Sequence, residues 1–128
     1  MISPLAYVDK EARIGANVTI HPFAYIDKNV EIGDNCTIMP YASILSGTRM
    51  GTDNIIYQGA IIGATPQDFK FKGEDTLLKI GNHNTIREKV ILNRGKNTTD
   101  CKILGDGKFL MDGVALAEEQ HLGSHCVS

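Results

Sequence analysis

The sequence predicts an all-β protein, a parallel β-helix of triangular coils with three short strands in each coil. Three regularities predict it: an aliphatic residue at every sixth position, a small residue two positions before it, and glycines spaced by eighteen. A helical period of about 3.6 or a strand period of 2 does not produce strict sixes. We therefore expect a single domain over residues 1–128, with the aliphatic residue of each hexad facing the interior.

The aliphatic register starts at Val8 and runs in steps of six to Leu122. Of these 20 positions 17 are aliphatic or Met, and the exceptions are Asp68, Glu74 and Thr98. The exceptions fall in two stretches, residues 64–79 and 93–103, after which the register resumes in phase. We expect both stretches to project as loops, and long loops on a repeat scaffold often carry function.

The fifth position of each hexad is small or modest in size, as expected where three strands crowd one narrow interior. It reads Val18, Ala24, Val30, Cys36, Ala42, Thr48, Asn54 and Ala60. Glycines follow the aliphatic position at intervals of three hexads, as at Gly15, Gly33 and Gly51. We expect these glycines to serve turns whose backbone is strained for other residues. Lys108 and Gln120 depart from the small pattern, which indicates a relaxed constraint there.

Composition excludes several classes of function. The 128 residues carry a formal charge of −2 and no basic run, which argues against nucleic-acid binding. The opening residues do not read as a signal peptide, and no apolar run approaches the roughly 20 residues of an integral membrane segment. Three cysteines without CxxC spacing, Cys36, Cys101 and Cys126, predict free thiols in a reducing compartment, and hence a cytoplasmic protein.

Three stretches are more specific than the hexads: "GATPQDFKFKGE" (63–74), "IREKVILNRG" (86–95) and "FLMDGVALAEEQHLGSHCV" (109–127). With them, the whole chain closely resembles the UDP-N-acetylglucosamine O-acyltransferases, which begin lipid A synthesis. The resemblance implies a left-handed β-helix and a homotrimer with active sites between adjacent prisms. It implies transfer of a 3-hydroxyacyl group from acyl carrier protein to the 3-hydroxyl of UDP-N-acetylglucosamine, without a metal or bound cofactor. The family continues into a C-terminal helical domain, which we expect this chain to lack.

The resemblance also assigns substrate-binding residues. Asp68 falls on the family's substrate-contacting aspartate and Lys70 on its basic neighbour, while Gln67 can add an amide contact. A carboxylate can hold a sugar hydroxyl, and an ammonium can face a phosphate or a polarised thioester. Asn93 and Arg94 lie where the family approaches its substrate.

The family's general-base histidine motif falls on "ALAEE" (115–119), which places Glu118 at the position of the catalytic histidine. Imidazole suits that task because its pKa of about 6.5 lies near working pH, whereas a carboxyl near 4.3 is a poorer base. Burial beside Glu119 would raise the pKa of Glu118, since two close carboxylates resist joint ionisation. His121 is about 10 Å further along an extended strand. The chain is therefore expected to keep the aliphatic register around this motif and to lack the histidine that acts as general base.

Two alternatives stay open beside the acyltransferase. The first is a catalytically inactive scaffold, truncated or engineered, that retains weak ligand binding. The second is a γ-type carbonic anhydrase, which needs three zinc-binding histidines, and no matching set is present. The spacing of Glu118, His121 and His125 also matches no strong metal-ligand pattern, so we predict no metal site.

Overall fold

The computed structural model describes residues 1–65, 76–95 and 101–112, together with the backbone of 121–123. Within these residues the chain forms three sheets and no helix. From β1 (Tyr7–Val8) to β15 (Phe109–Leu110) all strands pair in parallel, and successive strands pass from sheet 1 to sheet 2 to sheet 3 and back. The predicted parallel β-helix is confirmed. A membrane-spanning helix is accordingly not found among the described residues.

Most strands are only two residues long, because the chain turns a corner of the prism after each one. Sheet 1 contains β1 (Tyr7–Val8), β4 (Tyr25–Ile26), β7 (Ser43–Ile44), β10 (Ile61–Ala64) and β13 (Ile91–Asn93). Sheet 2 contains β2 (Arg13–Ile14), β5 (Glu31–Ile32), β8 (Thr48–Met50), β11 (Leu77–Ile80), β14 (Cys101–Leu104) and β16 (His121–Gly123). Sheet 3 contains β3 (Thr19–Ile20), β6 (Thr37–Ile38), β9 (Ile55–Ile56), β12 (Thr85–Ile86) and β15 (Phe109–Leu110).

The strand register reproduces the hexads. Tyr7 pairs with Tyr25 and Ile14 with Ile32, a separation of eighteen residues or one coil. The separation grows to thirty between Ile61 and Ile91, yet the interior positions still match. The chain therefore returns in phase after residues 66–75, as the aliphatic pattern predicts.

The interior is filled by the two positions that the sequence pattern identifies. Ile20, Ile38 and Ile56 stack on one another at 0% exposure, and the predicted fifth positions from Val18 to Ala60 are buried as well. Each such isoleucine stabilises the fold by about 1.5–3 kcal/mol relative to an exposed one. Val8 and Ile14 in the first coil are only partly buried and pack against this core.

The corner that follows sheet 2, here called the glycine corner, corrects the predicted role of its glycines. Gly15, Gly33, Gly51 and Gly81 do not have positive φ angles. A Cβ added at Gly33 would instead lie 2.5 Å from the carbonyl oxygen of Gly51 in the next coil. These glycines are required because neighbouring coils approach closely at this corner, not because the turn is strained.

The strained turn conformation lies two residues later, at the fourth position of the hexad. There φ is positive at Asn17, Phe23, Asn29, Asn35, Tyr41, Asp53, His83 and Lys89, and also at Gly47, Gly59 and Gly107. Asn, Asp and Gly tolerate this left-handed region, whereas a bulky side chain is a genuine outlier in it. Phe23 and Tyr41 are such outliers, each at a cost of about 1–2 kcal/mol.

Polar side chains at the glycine corner close hydrogen bonds between coils. The carboxylate of Asp34 accepts from the Ala16 N–H at 2.8 Å, and the amide oxygen of Asn82 accepts from the Thr52 N–H at 2.7 Å. Inside the same corner, Asn54 donates to the Gly81 carbonyl at 2.8 Å and accepts from the Asn84 N–H at 2.9 Å. Asp34, Asn54 and Asn82 therefore bond to the adjacent coil, whereas the buried amide nitrogen of Asn84 in the same corner donates no hydrogen bond among the described residues.

Strand β16 departs from the expected continuation of the coils. The hexad count predicts that Leu122 opens another parallel coil, but β16 pairs antiparallel with β14, with Leu122 opposite Lys102. Antiparallel pairing satisfies the exposed edge of β14 with the chain's own backbone. The hexad register is thus followed through β15 and not by β16.

The prediction of free thiols is wrong for one cysteine. Cys36 is free and buried inside the glycine corner, where its Sγ donates to the Gly51 carbonyl at 3.1 Å. Cys101, which is also buried, takes part in a disulfide. Spacing alone could not reveal this, because a disulfide requires proximity in space rather than in sequence.

Candidate substrate-binding site

The corner that follows sheet 1, here called the loop corner, is where both interruptions of the repeat begin. Residues 66–75 follow β10 and residues 96–100 follow β13, and β10 and β13 are neighbours in sheet 1. The two interruptions therefore leave adjacent coils at the same corner. Neither of the other two corners has this feature within the described residues.

Backbone hydrogen bonds tie the ends of the two interruptions together. The Arg94 N–H donates to the Ala64 carbonyl at 2.9 Å, and the Gly95 N–H donates to the Leu77 carbonyl at 3.1 Å. The buried hydroxyl of Thr76 donates to the Gly95 carbonyl. Residues on both sides of the first interruption are thus joined to the start of the second.

Gly47, in the neighbouring coil, leaves room for Thr76 and Arg94 at the loop corner. Its φ is +95°, and an added Cβ would lie 2.6 Å from the Thr76 carbonyl oxygen and 3.5 Å from Cδ of Arg94. The side chain of Arg94 therefore passes directly over Gly47. A larger residue at position 47 would displace either Thr76 or the arginine.

Asn93 supplies an unusual polar atom at the loop corner. Its side-chain oxygen is buried and, within the described part of the chain, accepts no hydrogen bond. An unpaired buried acceptor costs about 1–3 kcal/mol. A ligand hydroxyl or N–H that reached this oxygen would recover that cost.

The predicted site residues are only partly placed by the structure. Asn93 and Arg94 lie side by side at the loop corner, where their backbone contacts Ala64. Gln67, Asp68, Lys70 and the predicted base position Glu118 lie outside the described residues. Backbone hydrogen bonds therefore join the segment of Asn93 and Arg94 to both ends of the segment that contains Gln67, Asp68 and Lys70.

Sequence reasoning missed Thr76 and Gly47. Gly47 carried a usable signal, because it occupies the fourth hexad position in line with Asn29, Asn35 and Asp53. Thr76 carried none, since its partner Gly95 is nineteen residues away and is brought close only by the stacking of coils.

A second polar region lies on the outer face of sheet 2. Glu11, Arg13, Lys28, Asn29, Val30, Glu31 and Arg49 line an open groove of about 670 Å³. Arg49 donates to the carbonyl and side-chain oxygens of Asn29 at 2.7 and 2.6 Å and lies 3.4 Å from the Glu31 carboxylate. These contacts hold the Arg49 guanidinium against the surface of the groove.

Arg87 and Glu88 form a structural pair on the corner after sheet 3. Nε of Arg87 donates to the Glu88 carboxylate at 2.8 Å, and the guanidinium lies 4.2 Å from the ring centroid of Tyr57. The hydrogen bond from Arg87 lowers the pKa of Glu88, and Glu88 in turn raises the pKa of Arg87. Through Tyr57 the pair links two neighbouring coils.

No group of three or more His, Cys, Asp or Glu side chains in the described ranges could hold a metal ion. Asp53 and His83 approach at 4.0 Å, but they are only two.

Comparisons with known proteins agree with the hexad repeat. The family described as bacterial transferase hexapeptide (six repeats) matches residues 11–38 and 29–64. An acyl-[acyl-carrier-protein]–UDP-N-acetylglucosamine O-acyltransferase from Janthinobacterium sp. (strain Marseille) is 47% identical over 99% of this chain and 49% of its own length. The enzyme of that name from Halorhodospira halophila is 51% identical over 97% of the chain and 48% of its own length.

Solved structures give the same result. The crystal structure of a UDP-N-acetylglucosamine acyltransferase from Bacteroides fragilis superposes with a TM-score of 0.86 at 56% identity, over 88% of this chain and 44% of that one. The chain spans about half the length of the curated relatives it matches. The chain thus carries hexapeptide repeats of the bacterial transferase type over residues 11–64, and its close homologues are acyl-[acyl-carrier-protein]–UDP-N-acetylglucosamine O-acyltransferases.

Proposed function

We propose that this chain binds UDP-N-acetylglucosamine at the loop corner and presents it for transfer of a 3-hydroxyacyl group from acyl carrier protein, the reaction that begins lipid A synthesis. One observation carries the proposal. The start of the second interruption, with Asn93 and Arg94, is hydrogen-bonded to both ends of the first, which contains Gln67, Asp68 and Lys70. We further propose that residues 1–128 are one domain and that both interruptions project from it.

Each side chain has a role that fits its chemistry. Arg94 and Lys70 are suited to the diphosphate, because cationic donors make short, strong hydrogen bonds to phosphate oxygens. The Asp68 carboxylate can accept a hydrogen bond from a sugar hydroxyl, and the Gln67 amide can both donate and accept. The buried oxygen of Asn93 can accept from a further hydroxyl or N–H of the ligand.

The chemical step requires a base that removes the proton from the sugar hydroxyl as it attacks the thioester carbonyl. A positioned base contributes about 10²–10⁴ in rate. Glu118 occupies the position of the family's histidine, and an ordinary carboxyl is mostly ionised yet too weak a base at neutral pH. This chain therefore binds its substrates while turning them over slowly.

The proposed partners follow from the same reaction. They are acyl carrier protein as donor, UDP-N-acetylglucosamine as acceptor and two further copies of the chain in a homotrimer. We also propose a cytoplasmic location for the protein. No metal or cofactor takes part in the proposed step.

A transfer assay with 3-hydroxyacyl carrier protein tests the chemistry, and calorimetric titration with UDP-N-acetylglucosamine tests binding. The native chain is compared with the double variant Glu118→His, Ala115→His. We expect equal affinity for the nucleotide sugar and transfer that rises by about 10²-fold or more in the variant. Native turnover equal to that of the variant would contradict the assignment of Glu118.

The alternative function is a non-catalytic scaffold, and Glu118 is the observation that favours it. On that account the histidine variant also stays inactive, and binding of the nucleotide sugar remains the only activity. The two readouts therefore separate a weakened enzyme from a scaffold that binds without reacting.

A further inference from the structure

Gly95 is held at both of its backbone polar groups by the two residues that follow the first interruption. Its N–H donates to the Leu77 carbonyl at 3.1 Å, and its carbonyl accepts from the hydroxyl of Thr76. We call these two hydrogen bonds the Gly95 clasp. Thr76 is 2% exposed and Gly95 is buried, so the bond between them is shielded from bulk water. The two peptide groups that flank Gly95 are therefore fixed in position.

A shift of register in sheet 1 fixes the backbone on the other side of Arg94. Ala64 of β10 pairs with Asn93 of β13 because Gly63, with a φ of +86°, is an extra residue in β10, as in a β-bulge. The Arg94 N–H then donates to the Ala64 carbonyl at 2.9 Å. Bulges often lie beside functional sites, where they change the direction of a side chain. Arg94 is thus held before and after its own Cα, from both ends of the first interruption.

Gly47 limits where the side chain of Arg94 can lie. Its carbonyl accepts from the Leu78 N–H at 2.9 Å, so its coil is bonded to the strand that follows Thr76. A Cβ built on Gly47 would lie 2.6 Å from the Thr76 carbonyl oxygen, and 3.5 and 3.8 Å from Cδ and Nη1 of Arg94. The arginine side chain therefore crosses bare backbone, from Cδ to the guanidinium.

We propose that Thr76 is a positioning residue of the nucleotide-sugar site: through the Gly95 clasp it holds the backbone of Arg94 and so places the guanidinium against the diphosphate. The inference rests on the proposed function and deepens it. Thr76 is buried, so it acts through Arg94 and not by contact with the ligand. A guanidinium binds phosphate through a planar fork of N–H donors, and that geometry is lost when the fork is displaced.

The Gly95 clasp also connects the two groups of residues proposed to bind the ligand. Gln67, Asp68 and Lys70 lie in the segment that ends at Thr76, whereas Arg94 lies directly before Gly95. A bond between Thr76 and Gly95 therefore holds the end of one group against the start of the other. Because hydroxyl and carbonyl are both buried, breaking the bond leaves the carbonyl unsatisfied and favours movement of the Gly95 peptide toward water.

A second buried threonine shows the same bond in a local role. Thr48 is 0% exposed, and its hydroxyl donates to the carbonyl of Leu45, three residues earlier, at 2.8 Å. That bond closes a turn within one coil. The bond from Thr76 spans nineteen residues and joins two coils at the ends of both interruptions. The two threonines are thus matched in burial and chemistry and differ in what they hold.

The test compares Thr76→Val with Thr76→Ser in the full chain, by calorimetric titration with UDP-N-acetylglucosamine. Valine keeps the shape of threonine without the hydroxyl, and serine keeps the hydroxyl. At a temperature where circular dichroism shows each protein fully folded, we expect the dissociation constant of Thr76→Val to rise about tenfold or more and that of Thr76→Ser to stay near the native value. The matched control Thr48→Val removes an equally buried hydroxyl and is expected to bind like the native chain.

Amide hydrogen exchange followed by NMR gives a second readout that needs no ligand. The N–H groups of Arg94 and Gly95 should exchange about tenfold faster or more in Thr76→Val and at the native rate in Thr48→Val. Unchanged exchange in Thr76→Val would overturn the proposal, and so would an equal loss of affinity in the two valine variants. Native affinity in Thr76→Val would refute the role of Thr76 alone, whereas a native chain that does not bind would refute the proposed function and this role with it.

Discussion

The glycine corner and the loop corner are built from the same hexads and differ in what they do with them. At the glycine corner each coil repeats the last, with glycines in close contact and carboxylate or amide oxygens capping the coil below. At the loop corner the repeat is interrupted twice, and Gly47, Thr76 and Gly95 join the ends of the interruptions. The difference teaches that regular repetition here serves close packing of successive coils, while the departures are held by hydrogen bonds between the ends of the two interruptions.

The largest effect is expected from Gly33→Ala at the glycine corner. The new methyl would lie 2.5 Å from the Gly51 carbonyl oxygen and 2.6 Å from its carbon, so two coils must separate. We expect the free energy of unfolding to fall by about 3 kcal/mol, measured by urea denaturation. The control is Gly105→Ala, where the nearest atom is Cε of Lys108 at 4.0 Å. Equal losses in the two variants would show that close stacking is not the reason for these glycines.

At the loop corner, Thr76→Val removes the hydroxyl that donates to the Gly95 carbonyl and leaves that buried oxygen without the bond. The expected loss of unfolding free energy is about 1–2 kcal/mol, again by urea denaturation. Thr76→Ser keeps the hydroxyl and should retain most of the stability. If serine and valine are equally destabilising, the hydroxyl does not join the two interruptions.

The cysteine inside the glycine corner should be inert in the folded protein. Desolvation by burial raises the pKa of the Cys36 thiol, and its side chain is 0% exposed. A thiol reagent should therefore react with the native chain only as it opens, and faster with Gly33→Ala. After unfolding without reductant, one free thiol per chain is expected, because Cys101 is held in a disulfide. Three free thiols would refute the disulfide.

The smallest effect concerns the exposed pair Arg87 and Glu88. Arg87 lowers the folded-state pKa of Glu88, so the pair stabilises the fold above the pKa of an unfolded glutamate, about 4.3. That contribution is lost as the pH falls through the lowered folded-state pKa. Titration of the Glu88 carboxyl by NMR should show its pKa rise in Arg87→Ala. An unchanged value would mean that the hydrogen bond does not form in solution.

Much of the fold could be predicted because the interior of the prism repeats along the chain. The positions of Ile20, Ile38 and Ile56 follow from counting alone, and so do the small residues beside them. The contact between Gly33 and Gly51 could not be predicted, since it depends on the distance between coils rather than on the pattern within one.

The contacts of the candidate site could be predicted only in part for the same reason, and the roles of its residues stay a prediction. Asn93 and Arg94 were identified from a resemblance, and the structure places them at the loop corner. The contacts of Thr76 and Gly47 join separate coils, so no local motif announces them. The positive φ angles of Phe23 and Tyr41 could not be predicted, because aromatic residues do not favour that backbone region.

The most direct test of the account is a calorimetric titration of the chain with UDP-N-acetylglucosamine, comparing Arg94→Ala with the charge-matched control Arg13→Ala on the outer face of sheet 2. If the loop corner is the binding site, the affinity of Arg94→Ala falls by about tenfold or more while that of Arg13→Ala stays at the native value. Equal affinities in the two variants, or no binding by the native chain, would contradict it.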